Sequence, residues 1–349
     1  MWRHMASRSS ESHLAYSPGH VPATATERLR LMNSPPASKA PSAALVGGLC
    51  YLVSSLVWGL NIPLTSRLFS SFDPYWLAVL RLSIASTILG SLVAASSSLS
   101  QLRSPIPLWR VLSMSLCVSC FFVFFNLGLR YTNPITAAAI MAGSPVYGAV
   151  IFRWMNRSPL EKGFWGAAAL TIIGAVIAIY GKADETSQSL HLQGGEPLIV
   201  LSFFAWTAYS ILAQRWFTPD TSQLRRTFLT SAYAVPWLIV WWLLAQAVGL
   251  TGAPNLDPSR EAITNLLITA ALSSALGAVA WNTGVARLGI NAGVMWQNTV
   301  PVFAVLISLL VFSVRPLPEQ VIGGLVVLAG VLYMQWQRMR TTRAAMVKL

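Results

Sequence analysis

The side chains able to recognise a solute fall along the chain as indole, amide and phenol groups at helical spacing. Trp58 and Asn61 stand three residues apart, and Trp206 and Tyr209 repeat that spacing. Residues three apart share one face of an α-helix, so each pair sets an aromatic surface beside a hydrogen-bonding group. Trp281-Asn282 and Trp296-Gln297-Asn298 add further indoles and amides, and Asn126 adds one more amide. Such a mixed lining suits solutes that join an apolar body to hydrogen-bonding groups, with amino acids and similar metabolites foremost. The same residues have a plain structural use, because tryptophan favours membrane interfaces and amides hold helices together.

Arg81 is the one ionisable residue inside a long apolar run. A charge at mid-helix in a bilayer costs about 2.5–3.5 kcal/mol on insertion scales, so it is a functional candidate by default. It follows Pro74 by seven residues, which places it about 10 Å into a layer about 30 Å thick at about 1.5 Å per residue. Two uses stay open: contact with an anionic solute group, or bracing of helices with the charge drawn toward the surface. No Asp, Glu or His lies in the interior of a predicted helix; the carboxylates sit in tails, loops or helix ends. A proton relay therefore has no evident carrier, and a facilitator or exchanger is expected.

Several other chemistries are excluded. Cys117-Val-Ser-Cys120 has the spacing of a metal or redox pair, but it lies in an apolar run with no histidine nearby, since the four histidines are in the N-terminal segment or at His191. These thiols read as buried. Gly174 to Lys182 ends in Gly-Lys, yet the spacing is not that of a phosphate loop, and Ala183 stands where Ser or Thr would bind magnesium. No nucleophile has a matching base. No catalytic residue, metal site or cofactor is expected, and the chain does not read as an enzyme.

The elements that must position these residues are legible from composition. Of 349 residues, 54% are hydrophobic and 10% charged, against about 25% charged in soluble domains. Apolar runs of the length needed to cross a bilayer predict an all-α integral membrane protein with ten transmembrane helices. They span residues 43–66, 75–95, 108–129, 134–153, 161–181, 196–215, 227–249, 262–286, 291–313 and 318–337. Residues 1–42 form a basic tail expected to be disordered, with translation starting at Met1, Met5 or Met32. Residues 182–195 form an outside linker and 338–349 a basic cytoplasmic tail.

The net charge of +13 does not point to nucleic acid, because the basic residues are spread over loops and tails. With both termini in the cytoplasm, 18 of the 24 Lys and Arg fall in inside segments and five outside, leaving Arg81 within a helix. That bias fixes the orientation by the positive-inside rule. The partners implied are a lipid bilayer and a small-molecule substrate, with the chain as monomer or homodimer.

The chain also repeats itself. Trp58 and Arg67 recur as Trp206 and Arg215 at an offset of 148; Asn126, Gly128 and Pro145 recur as Asn282, Gly284 and Pro301 at an offset of 156. Pro159-Leu160 matches Pro316-Leu317. Each half then holds five helices, an odd number, so the second half enters the membrane from the opposite side. Inverted halves that rock about a midplane site are the architecture of secondary transporters. Pro145 and Pro301 are expected to interrupt the fourth and ninth helices, either as breaks or gates that leave backbone carbonyls facing a cavity or equally as plain kinks.

Leu56-Val57-Trp58-Gly59-Leu60-Asn61, the stretch Asp73 to Ala85, and Asn126 to Pro145 resemble the EamA domain of the drug/metabolite transporter superfamily. The resemblance covers roughly residues 43–338 and is looser in the second half, where Thr207-Ala208-Tyr209 replaces Gly59-Leu60-Asn61. It implies a bundle of two inverted five-helix repeats, 43–181 and 196–337, in the inner membrane, many relatives of which export amino acids or other metabolites. Carriage of another solute, such as a nucleotide sugar or a cationic drug, and a receptor or scaffold without transport are the alternatives.

Overall fold

Leu45, Leu49, Leu52, Val53 and Leu56 make an exposed stripe along the first helix, while Tyr51, Ser54, Ser55, Asn61 and Thr65 are buried. Apolar side chains outside and hydroxyls and amides inside are the reverse of a water-soluble helix, and suit a lipid surround. The structure is a computed structural model that describes residues 41–96, 98–132, 134–156, 163–180, 194–289, 293, 296–297, 299–313 and 315–346. Expectations for residues 1–40, for most of the 182–195 linker and for Asn298 lie outside the described residues.

Among the described residues every regular element is helical. They are α1 (Pro41–Leu68), α2 (Pro74–Ser96), α3 (Leu108–Arg130), α4 (Pro134–Ala142), α5 (Ser144–Asn156), α6 (Phe164–Tyr180), α7 (Glu196–Trp216), α8 (Gln223–Ala247), α9 (Arg260–Ile268), a π-helical segment (Thr269–Gly277), α10 (Ala278–Leu288), α11 (Thr299–Leu310) and α12 (Pro318–Met346), with a short 3₁₀ turn at Leu99–Leu102. Six stretches are long and apolar enough to cross a membrane: α1, α2, α3, α7, α8 and the continuous run Arg260–Leu288. Shorter apolar helices at Val146–Met155, Phe164–Gly174, Thr299–Leu310 and Val321–Gly330 overlap the remaining predicted spans.

The structure refines the predicted spans in several places. The predicted span 134–153 is divided at Gly143 into α4 and α5. A Cβ at Gly143 would stand 2.6 Å from Thr171 Cγ2, so the break lies directly against α6. Tyr147 donates its hydroxyl to the Ile140 carbonyl at 3.2 Å, satisfying an acceptor at the end of α4. Pro145 is the second residue of α5, immediately after that division, where a proline lacks an N–H that has no partner within α5. Pro63 and Pro236, in contrast, do sit inside α1 and α8. The predicted span 262–286 contains the π segment, and the last helix runs to Met346, beyond the expected end at 337.

The helices pack mainly across the two halves of the chain. The prominent pairs are α1 with α10 and α11, α2 with α8, α3 with α7 and α8, and α6 with α12. Exchange of the halves maps α1·α10 onto α3·α7 and returns α2·α8 and α6·α12 to themselves, so the contacts repeat as the sequence does.

Helix ends carry identifiable caps and anchors. Asp73 Oδ1 accepts from the Tyr75 and Trp76 amides at 2.9 and 3.0 Å, closing the start of α2. Ser222 and Ser259 cap α8 and α9 in the same way. Arg225 donates to the carbonyls of Gln101 and Arg103, both at 2.7 Å, and ties α8 to the loop after α2. Trp109, Trp154 and Trp165 are exposed near helix ends beside the basic loops, where an interfacial aromatic belt belongs.

Candidate functional site

The apolar exterior leaves the polar residues of α1, α2 and the π segment to meet inside. Thr65 is one turn beyond Asn61 on α1 and donates to Asn61 Oδ1 at 3.1 Å. Arg81 enters from α2, only 3% exposed. Its Nη1 donates to Thr65 Oγ1 and its Nη2 to Ser274 Oγ, both at 3.1 Å. The Phe122 ring lies 5.4 Å from its Cζ, a distance at which a ring face attracts a cation. Arg81 Nε has no hydrogen-bond partner among the described residues. Among the described residues no carboxylate is seen within ion-pair reach of it; an ion pair of Arg67 with Glu261 at 4.0 Å joins exposed side chains.

The π segment is fastened to α1 by consecutive groups. Trp58 Nε1 donates to the Ser273 carbonyl at 3.1 Å, and the Ser273 hydroxyl donates to the Val57 carbonyl at 2.8 Å. The next residue, Ser274, accepts from Arg81. π-helical turns are uncommon and recur at functional sites, because they place neighbouring side chains at angles an α-helix does not offer.

The second half contributes a hydroxyl and amide network. Asn282 Nδ2 donates to Thr227 Oγ1 at 2.8 Å and to Tyr209 Oη at 3.1 Å. Tyr209 Oη and Thr230 Oγ1 lie 3.4 Å apart. Around this network the aromatic rings interlock: Trp58 meets Trp206 edge-on at 5.5 Å and Trp281 at 5.4 Å, while Phe121 lies 5.0 Å from Trp206. The Trp206 indole N–H is buried without a partner among the described residues.

These groups surround a cavity of about 60 Å³. Trp58, Asn61, Arg81, Trp206, Tyr209 and Gln297, all expected from the sequence, line it together with Phe121, Phe122, Phe125 and Phe203. Trp281 and Asn282 stand behind that wall, supporting Trp58 and Tyr209. Asn126 is elsewhere: fully buried, it donates to the Pro74 carbonyl at 2.9 Å and braces α3 against the start of α2. The lining hydroxyls Thr227, Thr230, Ser231, Ser273 and Ser274 were not among the expected residues, and neither was Thr65. A second, wider hollow of about 600 Å³ opens where the α1–α2, α3–α4 and α8–α9 connections meet, lined by Asp73, Tyr75, Arg130, Tyr131 and Asn255 among others.

An apolar-surfaced helical bundle built from two like halves, with a polar and aromatic cavity between them, defines a multi-pass membrane protein of the transporter class. The chain belongs to the EamA-like transporter family, whose pattern matches residues 45–180 and 193–336. It is 26% identical to the uncharacterized transporter YyaM of Bacillus subtilis over 80% of this chain and 90% of that one. It is 24% identical to a protein of Streptantibioticus cattleyicolor named a probable terminal-alkyne amino-acid exporter, over 84% of this chain and 97% of that one. A solved crystal structure covers 87% of the chain at a TM-score of 0.61 and 16% identity, a likeness of fold.

Proposed function

We propose that the protein moves amino acids or related small metabolites outward across the cell membrane. In this reading ten helices, arranged as inverted repeats of five over 43–181 and 196–337 with both termini cytoplasmic, alternate access to the cavity at Arg81.

The observation that carries the reading is the state of Arg81. A guanidinium buried without a counter-charge is costly, and the cost falls when an anion reaches it. A carboxylate is the natural complement, because the planar fork offers it charge-assisted hydrogen bonds. The aromatic walls of Phe121, Phe125, Phe203 and Trp206 suit an apolar side chain, and the indole faces of Trp58 and Trp206 attract an ammonium. A fixed positive charge in the cavity disfavours a cationic drug. The amino-acid exporter among the relatives supports the same class of solute.

The cavity of about 60 Å³ is below the roughly 300–1,000 Å³ typical of ligand pockets. A solute therefore enters by separation of the halves. None of the lining residues is an Asp, Glu or His, which favours a facilitator or exchanger over proton coupling.

The test is flux in proteoliposomes loaded with a panel of amino acids and organic cations, with and without an imposed pH gradient. Gradient-independent amino-acid flux, lost in Arg81→Ala and Asn61→Ala at equal reconstitution, is expected. Sustained uphill transport driven by the pH gradient overturns the facilitator reading, and flux of cations alone overturns the substrate class.

A further inference from the structure

We infer that the substrate-free site holds a small monovalent inorganic anion, chloride being the test case, at Arg81. The inference rests on the reading of Arg81 as the cavity's carboxylate receptor and goes beyond it, assigning an occupant to the state in which no substrate is bound.

The cavity has a cation and donors that lack acceptors. Arg81 is 3% exposed and its Nε is unpartnered among the described residues; Trp206, 8% exposed, lines the same cavity and its indole N–H is likewise unpartnered among the described residues. Ser274 Oγ accepts from Arg81 Nη2, which leaves its own proton for another acceptor. The Phe122 face at 5.4 Å offsets part of the charge but accepts no hydrogen bond of ordinary strength. Hydroxyl and indole N–H groups that share one cavity with a guanidinium, among walls that are largely aromatic, form a receptor for a single negative charge. At about 60 Å³ the cavity has room for a small ion or a few waters, a water needing roughly 10–15 Å³ by the same measure. The carboxylate of an arriving substrate displaces this anion, so the guanidinium is charge-compensated in the loaded and the substrate-free carrier alike.

The experiment uses the full chain in detergent, titrated with sodium chloride at constant ionic strength against the sodium salt of a bulky sulfonate. Tryptophan fluorescence and thermal midpoint are read together, since Trp58 and Trp206 line the cavity. Chloride is expected to give a saturable change that leucine shifts to higher chloride concentration. Arg81→Gln is expected to weaken the chloride response by roughly tenfold or more, the equivalent of one charge-assisted hydrogen bond or two. Should that variant fail to fold, Ser274→Ala and Trp206→Phe each remove one donor and must weaken the response. Identical titrations with chloride and sulfonate, or an undiminished response in Arg81→Gln, overturn the inference. Leucine binding with a flat chloride titration overturns the anion and leaves the amino-acid reading standing. Chloride binding at Arg81 that leucine does not displace supports the anion and counts against amino acids as substrate.

Discussion

Arg81 on α2 donates to Ser274 in the π segment at 3.1 Å across 193 residues of sequence, so the charge of the cavity belongs to one half of the chain and is held by a hydroxyl from the other. Any separation of the halves that moves α2 relative to the π segment stretches this bond. The pair therefore links the position of the charge to the conformation of the bundle.

Ser274→Ala is expected to leave expression and fold intact while raising the KM for an amino-acid substrate about five- to tenfold, since a hydrogen bond to a charged group is worth about 1.5–3 kcal/mol and Thr65 retains part of the arginine's support. Proteoliposome uptake against substrate concentration measures it. An unchanged KM would remove Ser274 from the site.

Arg81→Lys keeps the charge and loses the planar fork that reaches Thr65 and Ser274 together. Flux is expected to fall by roughly tenfold at equal reconstitution, because an ammonium cannot reproduce a bidentate geometry. Uptake at the wild-type rate would mean that Arg81 acts only as a diffuse charge.

Asn126→Ala separates bracing from binding. Its amide holds the Pro74 carbonyl and does not line the cavity, so the thermal midpoint should fall by the equivalent of about 1–3 kcal/mol, while the KM of the folded fraction stays within twofold. A selective rise in KM without loss of stability would place Asn126 in the transport path.

Gly174 and Gly324 provide a contrast between two helical glycines on the packed pair α6 and α12. A Cβ at Gly174 would lie 2.6 Å from the Gly323 carbonyl oxygen and 2.7 Å from the Val327 nitrogen, whereas a Cβ at Gly324 meets nothing within 4 Å. Gly174→Ala should destabilise by about 1–3 kcal/mol through overpacking, and Gly324→Ala should be neutral or slightly stabilising. Thermal unfolding in detergent, followed by loss of monodisperse protein, distinguishes them.

The sequence was most informative where one residue type is costly in lipid or spaced at helical period. Arg81 announced itself because a charge within an apolar run requires a reason, and the Trp58/Asn61 and Trp206/Tyr209 pairs did converge on one cavity. Ser273, Ser274, Thr227 and Thr230 were invisible for the opposite reason. A hydroxyl can satisfy itself on a carbonyl of its own helix, as Thr227 does on Gln223 and Thr230 on Arg226, so its presence in an apolar run predicts nothing about a site. Asn126 and Asn282 looked equivalent by their repeat, yet one braces two helices and the other supports Tyr209. The difference lies in what each faces, and that is settled by packing between halves. The fourth helix is divided at Gly143, two residues before the Pro145 at which an interruption was expected, and a proline in the first turn of a helix costs little.

The π segment Thr269–Gly277 has a mechanical meaning beyond the angle at which it sets Ser274. A π turn accommodates a residue more than the surrounding α-helix does. Releasing that surplus residue would turn everything after it by about 100° and lengthen the rod by about 1.5 Å. Trp281 and Asn282 would then turn away from Trp58 and Tyr209 with the rest of α10. The surplus residue lies in the same segment as Ser274, which holds the cavity's charge.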